Sequence, residues 1–333
     1  MNRCTIDGLI FGVYINDLLA IRKMRKFTQS QIREFMERIP NHLYRMDYNA
    51  LKITCNEYFQ SLPFPIVDFT NEKFFFRQRE FSGLNVIYRA RHITNENNRP
   101  HESLSDISFI PEDKLDKIKE FGRVNKPHEA MFYGSLNIPT ACTEAVSKGN
   151  VFEFKSSTML SVGVWQFEKP LKLVQIPHSE KYFKEFYKMV NFESEKIQID
   201  HIQENNENLR KKVGNDFDFE KLMFFADQFA KWGIKHDYEY MLSNYFADRV
   251  LGRLPEFPID EEIDGIIYPS VAFSYQETNI VLKPEVVMNK LNFISAMQIW
   301  FVSFMKTNGG AQFVPIEHGV KSDSNGKLLW KVL

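Results

Sequence analysis

Leu84-Asn-Val-Ile-Tyr-Arg-Ala-Arg91 is the stretch that decides the class of this chain. Leu84, Val86, Tyr88 and Ala90 alternate with Asn85, Ile87, Arg89 and Arg91, and a period of two is that of a β-strand. Arg89 and Arg91 therefore project from one face of it. A second strand is expected at 130–133, and Pro139-Thr140 opens a short helix carrying Glu144, since proline suits a first turn. Strands follow at 151–154, 160–167 and 171–176, the last two joined by a Glu168-Lys169-Pro170 turn as an antiparallel run. Upstream, Thr28-Gln-Ser-Gln31 has the capping-box form. Ile32, Phe35, Met36 and Ile39 then recur at helical spacing, so a helix with one buried face precedes Pro40.

Residues 1–80 read as an N-terminal accessory region, helical and irregular. The helix stripe and the Phe74-Phe75-Phe76 cluster make it too apolar to stand free in water. Residues 81–333 form the main domain, with a charged insertion near 179–260. Its most charged part, 179–213, is expected to be a solvent-facing helical segment. Helices are expected at 219–232 and 238–250, where Met241, Leu242, Tyr245 and Phe246 make a core stripe. Strands resume at 265–268 and 279–283, and the tail reads as a meander with turn signals at Asn308-Gly309 and Asn325-Gly326. The class is α+β, with mixed, mainly antiparallel strands and flanking helices.

Composition excludes several functions. The 333 residues are 44% hydrophobic and 14% aromatic, enough for a large core. With 42 Lys and Arg against 43 Asp and Glu, no global attraction to nucleic acid is implied. Cys4, Cys55 and Cys142 make no C-x-x-C pair and suit a reducing compartment, so a cytoplasmic protein is expected. The N-terminus lacks the pattern of a secretory signal, and the apolar run from Phe293 to Met305 is too short to cross a bilayer as a helix, so no membrane partner is expected. There is no Walker loop, no G-x-G-x-x-G after a strand, no H-E-x-x-H, no G-x-S-x-G and no metal-ligand spacing.

Five pieces remain, in order: V-I-Y-R-A-R at 86–91, G-R-V-N-K-P at 122–127, M-F-Y-G-S at 131–135, T-A-C-T-E-A-V at 140–146 and D-G-I-I-Y-P-S at 264–270. Together they resemble the RES family, over about residues 84–290. The arginine, glutamate and serine of the family name match Arg89, Glu144 and Ser270. The resemblance implies a fold similar to that of the ADP-ribosyltransferase toxins. It also implies cleavage of NAD at the nicotinamide-ribose bond, by hydrolysis or phosphorolysis, in a toxin paired with a protein antitoxin. NAD is then a substrate, and no separate cofactor is implied.

The residue types suit that chemistry. Breaking the bond develops positive charge at the anomeric carbon, so a carboxylate is needed near the ribose. Glu144 is the catalytic candidate, as carboxylates are in glycoside cleavage. Tyr133 is placed to stack on a ring or bond a ribose. Arg89 and Arg91 offer planar forks for a pyrophosphate, with Arg123 as a third cation and Asn125 shaping its loop. Ser270 is expected to position Glu144 or the substrate, not to act as a nucleophile. Five of these residues, Arg89, Arg91, Tyr133, Glu144 and Ser270, are expected to converge on one cleft. Two other functions use the same residues: ADP-ribosylation of a macromolecule, docked through the charged insertion, and nucleotide binding without catalysis. The sequence departs from the family pattern at His128, where many relatives have glycine, and in the long interval from Glu144 to Ser270.

Overall fold

The computed structural model describes residues 4–6, 9–11, 26–70, 85–95, 97–147, 157–190, 195–272, 275, 277–303, 311–321 and 326–332. Two short strands, β1 (Cys4–Ile6) and β2 (Leu9–Phe11), pair antiparallel with each other. Helix α1 (Gln29–Arg38) starts at Thr28, whose hydroxyl accepts from Gln31 N while the Gln31 side chain accepts from Thr28 N at 2.9 Å. This reciprocal cap satisfies amides that a helix start would otherwise leave unpaired. Ile32, Phe35 and Met36 form its buried face. Helix α2 (Tyr48–Tyr58) is capped by Asp47, and β3 (Ile66–Phe69) follows. The Phe74–Phe76 cluster lies outside the described residues.

The rest of the chain supplies β4 (Val86–His92), β5 (Phe132–Ser135), α3 (Ile138–Ser147), β6 (Ser157–Phe167) and β7 (Leu171–Gln175). Next come α4 (Glu180–Val190), α5 (Glu195–Val213), α6 (Asp216–Ala230) and α7 (Met241–Val250). The closing elements are β8 (Gly265–Pro269), β9 (Thr278–Leu282), α8 (Pro284–Lys290), β10 (Leu291–Ser303), β11 (Ala311–Lys321) and β12 (Leu328–Val332). Ten strands form one sheet in the order β12-β11-β10-β6-β4-β5-β9-β8-β7-β3. Every neighbouring pair is antiparallel except β7 with β8. The fold is α+β, and β10 to β12 form the expected meander.

Register fixes which side chains share a face. Tyr88 stands opposite Ser135, Ser135 opposite Asn279, and Asn279 opposite Tyr268, so these lie on one face, the front. That face also carries Tyr133, Val281, Ile266 and Val174, which pack with α1, α2, α6 and α7 in the largest core. Helix α3 covers its other half, over Tyr88, Ala90, Leu160 and Val162. The back face holds Ile87, Phe132, Trp165, Ile267, Ile280 and Leu282, closed by Val286 and Val287 of α8. Residues 26–70 are built into the same sheet and core, since β3 is an outer strand paired with β7 and α2 buries Leu51 and Cys55 against α7.

Three expectations need correction or bounding. β6 and β7 do not pair, because β10 and β4 take both edges of the eleven-residue β6 and leave none for β7. The chain crosses at 168–170 to the far side of the sheet instead. The charged segment 179–213 is helical but not simply solvated, for Phe183, Phe186, Tyr187 and Ile202 are buried in a cluster with Val271 and Tyr275. Its apolar positions were masked by the charges between them. The strand expected at 151–154 lies outside the described residues. Among the described residues, no helix is long and apolar enough to cross a membrane.

Candidate functional site

Glu144 lies midway along α3, half-buried, with its side chain turned toward the front-face ends of β8 and β9. Its Oε1 accepts from Ser270 Oγ at 2.6 Å and from Asn279 Nδ2 at 2.5 Å. No hydrogen bond to its Oε2 occurs among the described residues. One oxygen is thus fixed by two donors, and the other is not engaged by any described residue. A carboxylate can accept several hydrogen bonds, so the open oxygen is unused capacity rather than strain.

Ser270 is fully buried at the end of β8, where its N–H donates to Glu277 O and its carbonyl accepts from Tyr275 N at 2.8 Å. Tyr275 anchors this turn from the helical side. Its hydroxyl donates to Ala230 O at 2.7 Å, and its ring sits 6.4 Å from Phe183 and 6.0 Å from Phe186. Its φ of 60° lies in the left-handed region that side chains seldom adopt. The strand start at Gly265 has a different need: a Cβ there would collide with Val281 O, so the D-G of D-G-I-I-Y-P-S lets β8 and β9 approach.

The 122–127 loop brings Arg123 and Asn125 to the front face, where the loop meets Tyr133 of β5. Tyr133 Oη donates to Asn125 Oδ1 at 2.7 Å and accepts from Val124 N at 3.0 Å. Its hydroxyl is therefore committed to the loop, and burial raises its pKa. A Cβ at Gly122 would strike the Asn125 side chain, which explains the glycine of G-R-V-N-K-P. Arg123 is buried and donates to Phe229 O at 2.6 Å and to Lys231 O at 2.8 Å, capping the end of α6. Burial lowers its pKa, but the fields of Tyr240, Tyr268, Glu144 and Tyr275 outweigh that and leave it above its ordinary value. Arg123 is thus a cation that feels Glu144. His128, at the position where the resemblance puts glycine, has a φ of 62°. A left-handed backbone is what glycine adopts freely, so the histidine carries the strain.

Arg89 and Arg91 stand elsewhere. They share the parity of Ile87, which is on the back face, and the Arg89 guanidinium lies 5.2 Å over the back-face ring of Phe132. Arg89 donates to Ser108 O at 2.9 Å and to Tyr133 O at 2.6 Å, bridging the gap between β4 and β5, which are joined by the single pair Tyr88 and Ser135. Burial, with Arg91 next to it, lowers the Arg89 pKa to about 9. The structure therefore gathers Glu144, Ser270, Tyr133, Arg123 and Asn125 on the front and leaves the arginine pair behind the sheet. The strand alternation showed that the two arginines share a face, but not which face.

Sequence reasoning missed Asn279 and Ser135. Ser135 Oγ donates to Asn279 Oδ1 at 2.8 Å, and both residues are buried. A signal existed in T-N-I-V-L, where two polar residues open a strand that is buried at every position. Among the described residues, no group of three or more His, Cys, Asp and Glu side chains is arranged to hold a metal ion. No protein-family model matches the chain, and no curated protein matches it.

Proposed function

We propose that this chain is an NAD-cleaving enzyme of the RES type, with Glu144 as its catalytic carboxylate. The observation that carries the reading is the carboxylate held on one oxygen by Ser270 and Asn279 while the other oxygen has no partner among the described residues. In the reaction, the bond from the ribose anomeric carbon to the nicotinamide nitrogen breaks, and its electron pair leaves with nicotinamide. Glu144 Oε2 faces the positive charge that develops on the ribose. An oxygen of water or phosphate then bonds to the anomeric carbon, and the proton of the acceptor passes to solvent. The products are nicotinamide and ADP-ribose or its phosphate. An acid that opposes charge only as it develops raises the rate more than the affinity.

Arg123 is the cation of this site by position, and Tyr133, Tyr240 and Tyr268 supply aromatic surface around it. Arg89 acts by holding Tyr133 O and the 108 segment, which differs from the pyrophosphate clamp expected from sequence. Cytoplasmic NAD as the substrate and a protein antitoxin as the partner belong to the same reading.

The test is incubation of the purified full chain with NAD, with and without phosphate, followed by separation of products. Glu144→Gln should fold as the parent does and cleave NAD slower by on the order of 10² or more, with NAD affinity little changed. A well-folded parent that releases no nicotinamide, or a variant as fast as the parent, would overturn the reading.

A further inference from the structure

We infer that Asn279 is the positioning residue of Glu144, setting the orientation of its carboxylate through a one-way hydrogen-bond relay that begins at Ser135. The relay is a property of the fold. Only its consequence for turnover rests on the NAD reading above.

Chemistry fixes its direction. A carboxylate accepts hydrogen bonds and donates none, so the group 2.5 Å from Glu144 Oε1 must be the Asn279 NH2 and not its carbonyl. The Asn279 carbonyl then faces Ser135 Oγ at 2.8 Å, and the serine hydroxyl must donate. Ser135 and Asn279 are 2% and 4% exposed, so water does not compete for either bond. Because β5 and β9 are hydrogen-bonded neighbours with Ser135 directly opposite Asn279, the amide is held by sheet register and not by a mobile loop.

The residue just before β9 also grips the start of α3. Asn137 Nδ2 donates to Glu277 Oε2 at 2.8 Å, while Asn137 Oδ1 accepts from Thr140 N as the helix cap. Asn137 and Glu144 are about two turns apart along α3 and its cap, and Glu277 precedes β9 by one residue, two positions before Asn279. The first clasp sets where α3 lies. The second touches the carboxylate itself. With Ser270 and Asn279 both on one oxygen, turning the carboxylate out of this orientation costs both bonds, so its second oxygen is held toward the ligand side.

Two measurements on the full chain test this. The first needs no substrate: the Asn279 side-chain amide resonance is followed by NMR in the parent, Glu144→Gln and Ser135→Ala. One amide proton should be downfield and slow to exchange in the parent, and should move upfield in both variants. The second is steady-state cleavage. Asn279→Ala should lower kcat by about 10- to 100-fold, the scale of a lost hydrogen bond to a charged group, with KM within about twofold. Asn279→Asp keeps the shape but cannot donate to Glu144, and should also lose kcat. Asn137→Ala, which loosens only the first clasp, should lose stability with a far smaller change in kcat. An Asn279 resonance indifferent to Glu144→Gln, or Asn279 variants with parental kcat in an enzyme that Glu144→Gln disables, would overturn the inference. If the parent does not cleave NAD at all, the proposed function fails and the resonance alone decides the relay.

Discussion

Acidification from pH 7 to pH 4 should remove about 3 kcal/mol of stability through one side chain, His178. It precedes α4, is buried, and exchanges two hydrogen bonds with Asn206, its N–H donating to Oδ1 at 3.1 Å and its carbonyl accepting from Nδ2 at 2.9 Å. Burial lowers the imidazole pKa from 6.5 to about 4, against a smaller opposing hydrogen bond that the ring donates to the Tyr275 backbone. Between those values the unfolded chain binds a proton and the folded chain does not. The contribution of His178 is therefore complete above pH 6.5 and is lost as the pH falls through about 4. A gap of roughly 2.5 units at about 1.36 kcal/mol per unit gives about 3 kcal/mol. Urea unfolding of the parent and of His178→Gln at pH 7, 5.5 and 4 isolates the effect, since carboxylate titrations are common to both proteins. The parent should lose about 3 kcal/mol more than the variant over that range. Equal losses in the two would show that the fold does not keep His178 neutral.

Two further perturbations probe the frame around the site. Asp248 is 1% exposed and receives Lys126 Nζ at 2.9 Å and Tyr48 Oη at 2.8 Å, so it ties α2 to the 122–127 loop. Asp248→Asn should destabilise by about 3 kcal/mol in denaturant unfolding, the lower part of the range for a broken buried pair because Lys126 is 28% exposed. A loss under about 0.5 kcal/mol would mean that the network adds nothing. At His128, His128→Gly should raise stability by about 1 kcal/mol, as relief of the left-handed strain exceeds the added chain entropy, and a lower midpoint would contradict the strain.

Much of the fold was legible because local patterns met few rivals. The capping box at Thr28, the helix around Glu144, the period-two strand at 86–92 and the apolar strand at 265–269 each rest on short-range chemistry that tertiary contacts reinforce. Pairing was less legible. A Glu-Lys-Pro turn signals a hairpin, yet whether two strands pair depends on which other edges are available, and β10 reaches β6 from more than 120 residues downstream. The charged 179–213 segment failed for a different reason. Its net composition is that of a solvated face, but burial follows the few aromatic positions on one side of a helix, and Phe183, Phe186 and Tyr187 were enough to seat it.

The candidate site divides along the same line. Glu144 and Ser270 could be paired across their separation only because the resemblance supplied both, and the 2.6 Å bond between them joins the two motifs in space. Alternation alone could not take Arg89 and Arg91 to the correct side of the sheet, since a strand has two faces and the sequence of β4 does not say which one α3 covers. That information lies in the opposite residues: Tyr88 and Ala90 fill the space under α3, so the arginines are forced behind. Asn279 was hidden for the complementary reason. A polar residue at a strand start reads as a turn or an edge until a carboxylate from another element is known to sit against it, so the buried amide marks the site as clearly as the acid it holds.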